Sequence, residues 1–336
     1  MPSKSITFYL SLLVYIILAC EPSASTQTED VPTVIGLTSL QKMDRQIEAN
    51  PDKAELYLQR GDLYFELEGY DEAIADFKKV IAMDSSRVEA HTRLAQTYLE
   101  YNNSRLALLT MEAASYQFPT NIDILHILAE YQIILKQNNE ANATLVRATR
   151  LDSFNPKSYY LMGINLEDMK DEEKAIRAYK TALEKDGDFV EAYMRLGQIY
   201  EAKEDPRALD YFNSAIAANS DYYGAYLAKG NYLGSQGNFI EAIDVFKQIT
   251  ERSGDQQPVA FFNIGLAYFQ LDSIALAAKN FEISTSIDPT YGMAYYYLGQ
   301  TAELQQDIEA AKKYYSQATS FDNVSDRAEE ALRALK

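Results

Sequence analysis

The chain has 336 residues, of which 49 are acidic and 31 basic, giving a net charge of −18. A surface so acidic repels phosphate backbones and anionic headgroups, which argues against nucleic acid as a partner and against direct adhesion to a lipid surface. A single cysteine rules out an intrachain disulfide, so stability has to come from packing.

Residues 1–19 read as an export signal. Lys4 supplies a positive charge, and Ile6 to Leu18 form an apolar run interrupted only by Thr7 and Ser11. That run is shorter than the roughly 20 residues a membrane-spanning helix needs and suits the core of a secretory signal. It closes in Ile17-Leu18-Ala19-Cys20, which resembles a bacterial lipoprotein signal. The resemblance implies cleavage before Cys20 and a diacylglyceryl group on its thiol. An ordinary cleaved signal with a cysteine nearby is the alternative. Glu21 follows where the sorting rule of enteric bacteria would have Asp for inner-membrane retention, so the resemblance points to the outer membrane. Residues 20–35 are rich in Ser, Thr, Pro and acid. They read as a disordered tether, and a tether of this length spans roughly 20 Å.

Residues 36–53 are expected to form a capping helix, with Leu37, Leu40, Met43 and Ile47 on one face. Asn50-Pro51 ends it, because a residue before proline avoids helical geometry. From 54 to 325 one pattern recurs eight times. Its first marker is Gly61, Ala95, Ala129, Gly163, Gly197, Gly230, Gly265 and Gly299, at spacings of 33 to 35 residues. A second marker is always alanine: Ala73, Ala107, Ala141, Ala175, Ala208, Ala242, Ala277 and Ala311. A large residue follows each alanine by four: Phe77, Met111, Leu145, Tyr179, Phe212, Phe246, Phe281 and Tyr315. Within each copy the apolar spacing gives two helices with a turn between them. Small residues then mark where the two helices cross closely, and Ala175 is expected at such a crossing.

The pattern resembles the tetratricopeptide repeat, most fully in repeat 7 with Phe261, Ile264-Gly265, Tyr268, Ala277, Phe281 and Pro289. Repeat 3 departs from it with Leu125, Ala129 and Gln132, and repeat 8 has Ala302 where Tyr is usual. The resemblance implies an all-α fold, a right-handed α-solenoid of antiparallel helix pairs. A closing helix over 326–336, entered through a capping box at Asp326 and Glu329, would cover the last repeat. The break at Arg252 to Pro258 is the longest and is where a hinge is expected.

Catalytic constellations are missing from the sequence: it has no phosphate loop, His-Glu-x-x-His or Gly-x-Ser-x-Gly motif. His91 stands in a slot that is usually Tyr and reads as a packing residue. His126 falls near Asp123 and Glu130, but neither a second His nor a Cys joins them, so no metal site is expected. No cofactor is expected, and the chain reads as a non-enzyme.

What remains is the inner face of the first helices. Repeats 1 to 5 offer it Glu55, Asp62, Glu66, Glu89, Glu100, Asp123, Glu130, Glu167, Asp168, Glu191 and Glu201, against mainly Lys157. Repeats 6 to 8 offer Leu227, Asn231, Phe262, Leu266, Phe269, Met293, Tyr296 and Gln300. We take Phe262, Leu266, Phe269, Met293, Tyr296, Asn231, Glu89 and Glu130 as candidate partner-binding residues. Some tetratricopeptide domains hold chaperone C-termini with a lysine-bearing clamp. The slot of its first lysine here reads Leu58, Thr92, His126, Tyr160, Met194, Leu227, Phe262 and Tyr296, so that ligand is not expected. The function expected is a lipid-anchored protein-interaction adaptor of a bacterial envelope, whose partner is a protein or peptide segment of basic and aliphatic or aromatic character. The alternative is an assembly or export accessory, pilotin- or chaperone-like, that handles outer-membrane or secreted chains.

Overall fold

The computed structural model describes residues 31–253 and 257–335. The export signal, Cys20 and most of the tether lie outside the described residues, as do residues 254–256, on which the expected hinge falls. Among the described residues there are 18 helices and no strand. They group into two compact units that divide after Gly187.

The first unit opens with α1 (Val31–Ala49). This helix starts inside the stretch assigned to the tether. Pro32 is no obstacle, because a first-turn proline gives up only an N–H that has no helical partner. Leu40, Met43 and Ile47 are buried, as the sequence predicts for a cap. Four helix pairs follow: α2 (Ala54–Glu66) with α3 (Tyr70–Met83), α4 (Val88–Glu100) with α5 (Ser104–Gln117), α6 (Ile122–Ile134) with α7 (Asn138–Leu151), and α8 (Pro156–Asp168) with α9 (Glu172–Lys185). Arg60 on α2 ties the cap down. Its guanidinium donates to Asp76 on α3 through two nitrogens and to Asp44 on α1 through a third, all at 2.7 Å.

The second unit has four more pairs: α10 (Val190–Glu201) with α11 (Arg207–Ala218), α12 (Tyr223–Ser235) with α13 (Phe239–Ser253), α14 (Pro258–Gln270) with α15 (Ile274–Ile287), and α16 (Gly292–Leu304) with α17 (Ile308–Ala318). The closing helix is α18 (Ser325–Ala334). The expected capping box is not formed, because Asp326 already lies within its first turn. The residue ahead of the helix, Val324, is buried beside Ala318 and Ala328, and the Ser325 hydroxyl donates to the Thr319 carbonyl at 3.0 Å.

The repeat markers explain the pairing. All eight second-marker alanines are fully buried, Ala175 among them. Each glycine of the first marker lies against the ring of its own repeat's large residue. The first helix of every pair then ends the same way. Seven residues past the first marker the backbone turns left-handed, at Glu68, Asn102, Lys136, Lys170, Glu204, Gly237, Asp272 and Gln306. The next amide donates back across the turn, as Asn238 does to Leu233 and Asp307 to Ala302, both at 2.9 Å. This closure satisfies carbonyls that a helix end leaves open.

A second turn type leads from one pair to the next. Asp84, Asp152, Asn219 and Asp288 each accept, through the side chain, from the amide two residues on. That is the Asx turn these short polar residues favour. Within a unit, such turns set one first helix beside the next, which is what builds an inner face.

Candidate protein-binding groove

In the first unit four of the inner acids are answered by cations. Glu55 accepts from Arg87 at 2.8 Å, Asp62 is paired with Arg93 at 3.2 Å and Glu130 with Lys157 at 3.0 Å. Lys136 pairs with Asp168, and the Tyr179 hydroxyl donates to Glu167. Arg87, Arg93 and Lys136 thus join Lys157 against the inner acids, which remain in excess. Arg87 and Lys136 stand in turns, where a reading of the first helices alone does not count them. Hydrogen bonding to Arg87 holds the Glu55 carboxyl below its ordinary value. Asp62 moves the other way: burial raises it, and Glu89, Glu66 and Glu55 add repulsion against the pull of Arg93. Glu89 is exposed and makes no ion pair among the described residues.

His126 is almost wholly buried, with Nε2 hydrogen-bonded to the Ser158 hydroxyl at 2.8 Å. Burial pulls its pKa down to about 4, with Lys157 acting in the same direction. A neutral, hydrogen-bonded ring inside the seam between repeats is a packing element. His91 is buried too, edge-on to Phe118 and bonded to the Ser85 carbonyl at 3.1 Å.

Phe262 shares the slot of His126 one unit on, and it too is a correction. It is 7% exposed, packed among the rings of Phe281, Tyr291 and Tyr297 at centroid distances of 5.1 to 5.7 Å. Leu58, Tyr160 and Met194, in the same slot, are also buried. Thr92, Leu227 and Tyr296 in the same slot are half-buried, so the slot packs against neighbouring helices in five repeats and stays partly open in three.

The remaining candidates are more open. Tyr296 is half-buried against Tyr297 and Tyr315, and its hydroxyl accepts from Gln300 at 3.2 Å. Met293 is half-buried beside Phe321 and the closing helix. Phe269 is half-buried, edge-on to Tyr297 at 5.8 Å. Asn231 is exposed and Leu266 half-buried, and these two meet in a cleft of about 390 Å³. The cleft is lined by Gly230 and Gly234 of α12, Phe239 and Ala242 of α13, and Asn263 and Gln270 of α14. Tyr297 of α16 closes one end. The sequence reading names Asn231 and Leu266 but misses Asn263, Gln270 and the two glycines. The signal for them is Gly234, at a position where the other repeats carry a larger side chain.

The inner surface thus offers uncharged amides, half-buried aromatics and partly neutralised acids. Among the described residues no helix is long and apolar enough to cross a membrane, and no group of three or more His, Cys, Asp or Glu side chains could hold a metal.

Comparison with known proteins finds the same repeat family. Family models described as "Tetratricopeptide repeat" match residues 160–223, 227–291 and 294–324, and one described as "TPR repeat" matches 61–100. The chain is 22% identical over 295 residues to the DnaJ homolog subfamily C member 7 homolog of Dictyostelium discoideum, covering 83% of this chain and 51% of that one. It is 24% identical to the TPR repeat-containing protein YpiA of Bacillus subtilis, covering 68% and 54%. The chain spans about half the length of these curated relatives. Among solved structures, a tetratricopeptide repeat protein from Parabacteroides merdae superposes with a TM-score of 0.50 at 18% identity, covering 74% of this chain and 98% of that one. The Cut9-Hcn1 structure of the APC/C gives 0.50 at 14% identity, covering 99% and 70%; at these identities the likeness is one of fold. Matched across more than half its length by models of one repeat, the chain belongs to the tetratricopeptide repeat family, a family of protein-interaction scaffolds.

Proposed function

We propose that the chain is a non-catalytic, lipid-anchored adaptor of a bacterial cell envelope, attached through Cys20 and holding a peptide or protein segment on the inner face of its repeats. The observation that carries the binding half is the uncharged cleft between α12 and α14. An apolar depth with a few converging polar groups is what a recognition site offers. The anchoring half rests on Ile17-Leu18-Ala19-Cys20, and Glu21 favours the outer membrane.

The test combines metabolic labelling with fractionation. One acyl chain holds a protein only marginally to a membrane, and several hold it firmly. The full chain should incorporate a labelled fatty acid in a bacterial host and sediment with membranes, and Cys20→Ala should do neither. Absence of label on the wild-type chain would remove the anchor from the proposal. Binding is read separately, by crosslinking from the inner face.

A further inference from the structure

The cleft in the second unit exists because one repeat lacks a side chain. Four residues past the first marker stand Phe65, Leu99, Ile133, Glu167, Glu201, Phe269 and Glu303, and in repeat 6 alone Gly234. The chain uses this position in two ways. Where the repeat's large residue is Tyr, a glutamate sits there and accepts from the phenol, as Glu303 does from Tyr315 at 3.0 Å. Where it is not, the position is apolar, except for Glu201, whose carboxyl burial raises. Repeat 6 has Phe246 as its large residue and therefore no phenol to satisfy. Its fourth position is expected to be apolar, and it is empty.

The next repeat shows what belongs there. Phe269 points its ring at Tyr297 of the following first helix, with centroids 5.8 Å apart. One repeat earlier, the residue in register with Tyr297 is Asn263, 34 positions back, and it lines the cleft. A Cβ built on Gly234 meets no atom within 4 Å, so the space is open and not filled from elsewhere.

We propose that this cleft is a socket for one large apolar side chain, aromatic or aliphatic, of an extended partner segment. Asn231, Asn263 and Gln270 then hold the segment's main chain. Each carboxamide offers both donors and an acceptor, which matches a peptide unit with one of each. The lining carries no charged side chain, so the socket takes a neutral internal stretch and not a chain terminus. This inference rests on the scaffold reading and names the chemistry of its ligand.

The test titrates the full chain with N-acetyl-phenylalanine N-methylamide and with its glycine counterpart, following the side-chain amide resonances of Asn231, Asn263 and Gln270. Wild type should respond to the phenylalanine compound at least tenfold more strongly than to the glycine one. Gly234→Phe should supply the missing ring and weaken the response tenfold or more. Its helix content should be unchanged and its unfolding midpoint equal or higher, since the space is open and glycine, here in the last turn of α12, is a poor helix former. Gly234→Leu, with the side chain of Leu99, serves if the phenylalanine variant does not fold. Equal response to both compounds, or undiminished response in a folded Gly234 variant, overturns the socket. A protein partner held equally by wild type and Gly234→Phe also refutes the socket while leaving the scaffold standing. A wild type that seats the phenylalanine compound but holds no protein counts against the scaffold reading alone.

Discussion

A Cβ placed on Gly163 would lie 2.3 Å from Cε1 of Tyr179, so the tyrosine ring fills the volume that any other residue would need at position 163. The same relation joins Gly61 to Phe77, Gly197 to Phe212, Gly230 to Phe246, Gly265 to Phe281 and Gly299 to Tyr315. The two repeats that break the rule break both halves. Ala95 goes with Met111, and Ala129 with Leu145. Where the first helix carries a Cβ, the second carries no ring.

That covariation inside one chain makes a double-mutant test. Gly163→Ala should destabilise by about 1–3 kcal/mol through overpacking, even though alanine favours a helix over glycine by up to about 1 kcal/mol. Adding Tyr179→Leu, which reproduces the pair found in repeat 3, should recover part of the loss. Urea midpoints of the two single variants and the double variant measure the coupling. Strict additivity would contradict the contact.

His126 gives a pH dependence with a definite sign. Its folded pKa is about 4 against an ordinary 6.5, so the unfolded chain binds a proton that the folded chain refuses. The contribution is whole above pH 6.5 and is lost as pH falls through 4. At about 1.4 kcal/mol per pKa unit it amounts to at most about 3.5 kcal/mol. His126→Asn keeps a hydrogen-bonding side chain toward Ser158 without a titrating ring. Unfolding free energies between pH 7 and 4 should fall more steeply for wild type than for this variant, and parallel curves would refute a buried neutral imidazole.

Gln306 has a φ of 62°, a left-handed conformation that costs an ordinary residue about 1–2 kcal/mol. Repeat 6 places Gly237 at the equivalent turn. Gln306→Gly should therefore stabilise by roughly 0.5–1 kcal/mol after glycine's own entropic cost, seen as a raised urea midpoint with an unchanged slope.

The fold was legible because three residue classes recur in fixed register, and each class reports one contact: small residue, alanine, ring. The groove was less legible. The slot of His126 and Phe262 lies three residues before the first marker, about 60° from it around the helix. Nothing within one helix tells whether that direction faces a neighbouring repeat or open solvent; the stacking of helices decides it, for burial at His126 and Phe262 and for partial exposure at Tyr296. The cations against the inner acids were undercounted for a related reason, since Arg87 and Lys136 reach them from turns. The left-handed turn residues carried almost no signal, because seven of the eight are not glycine. Gly234 did carry one, as the single absence in a column of large side chains.

The claim that the inner face holds a polypeptide is tested most directly by site-specific photocrosslinking in a bacterial host that lipidates and exports the full chain. A photoreactive phenylalanine at Asn231 or Gln270 should yield a discrete polypeptide adduct. The same group at Glu173, exposed on the second helix of repeat 4, should yield none. Adducts of equal yield at Glu173, or no polypeptide adduct from the cleft positions, would contradict a groove-binding scaffold.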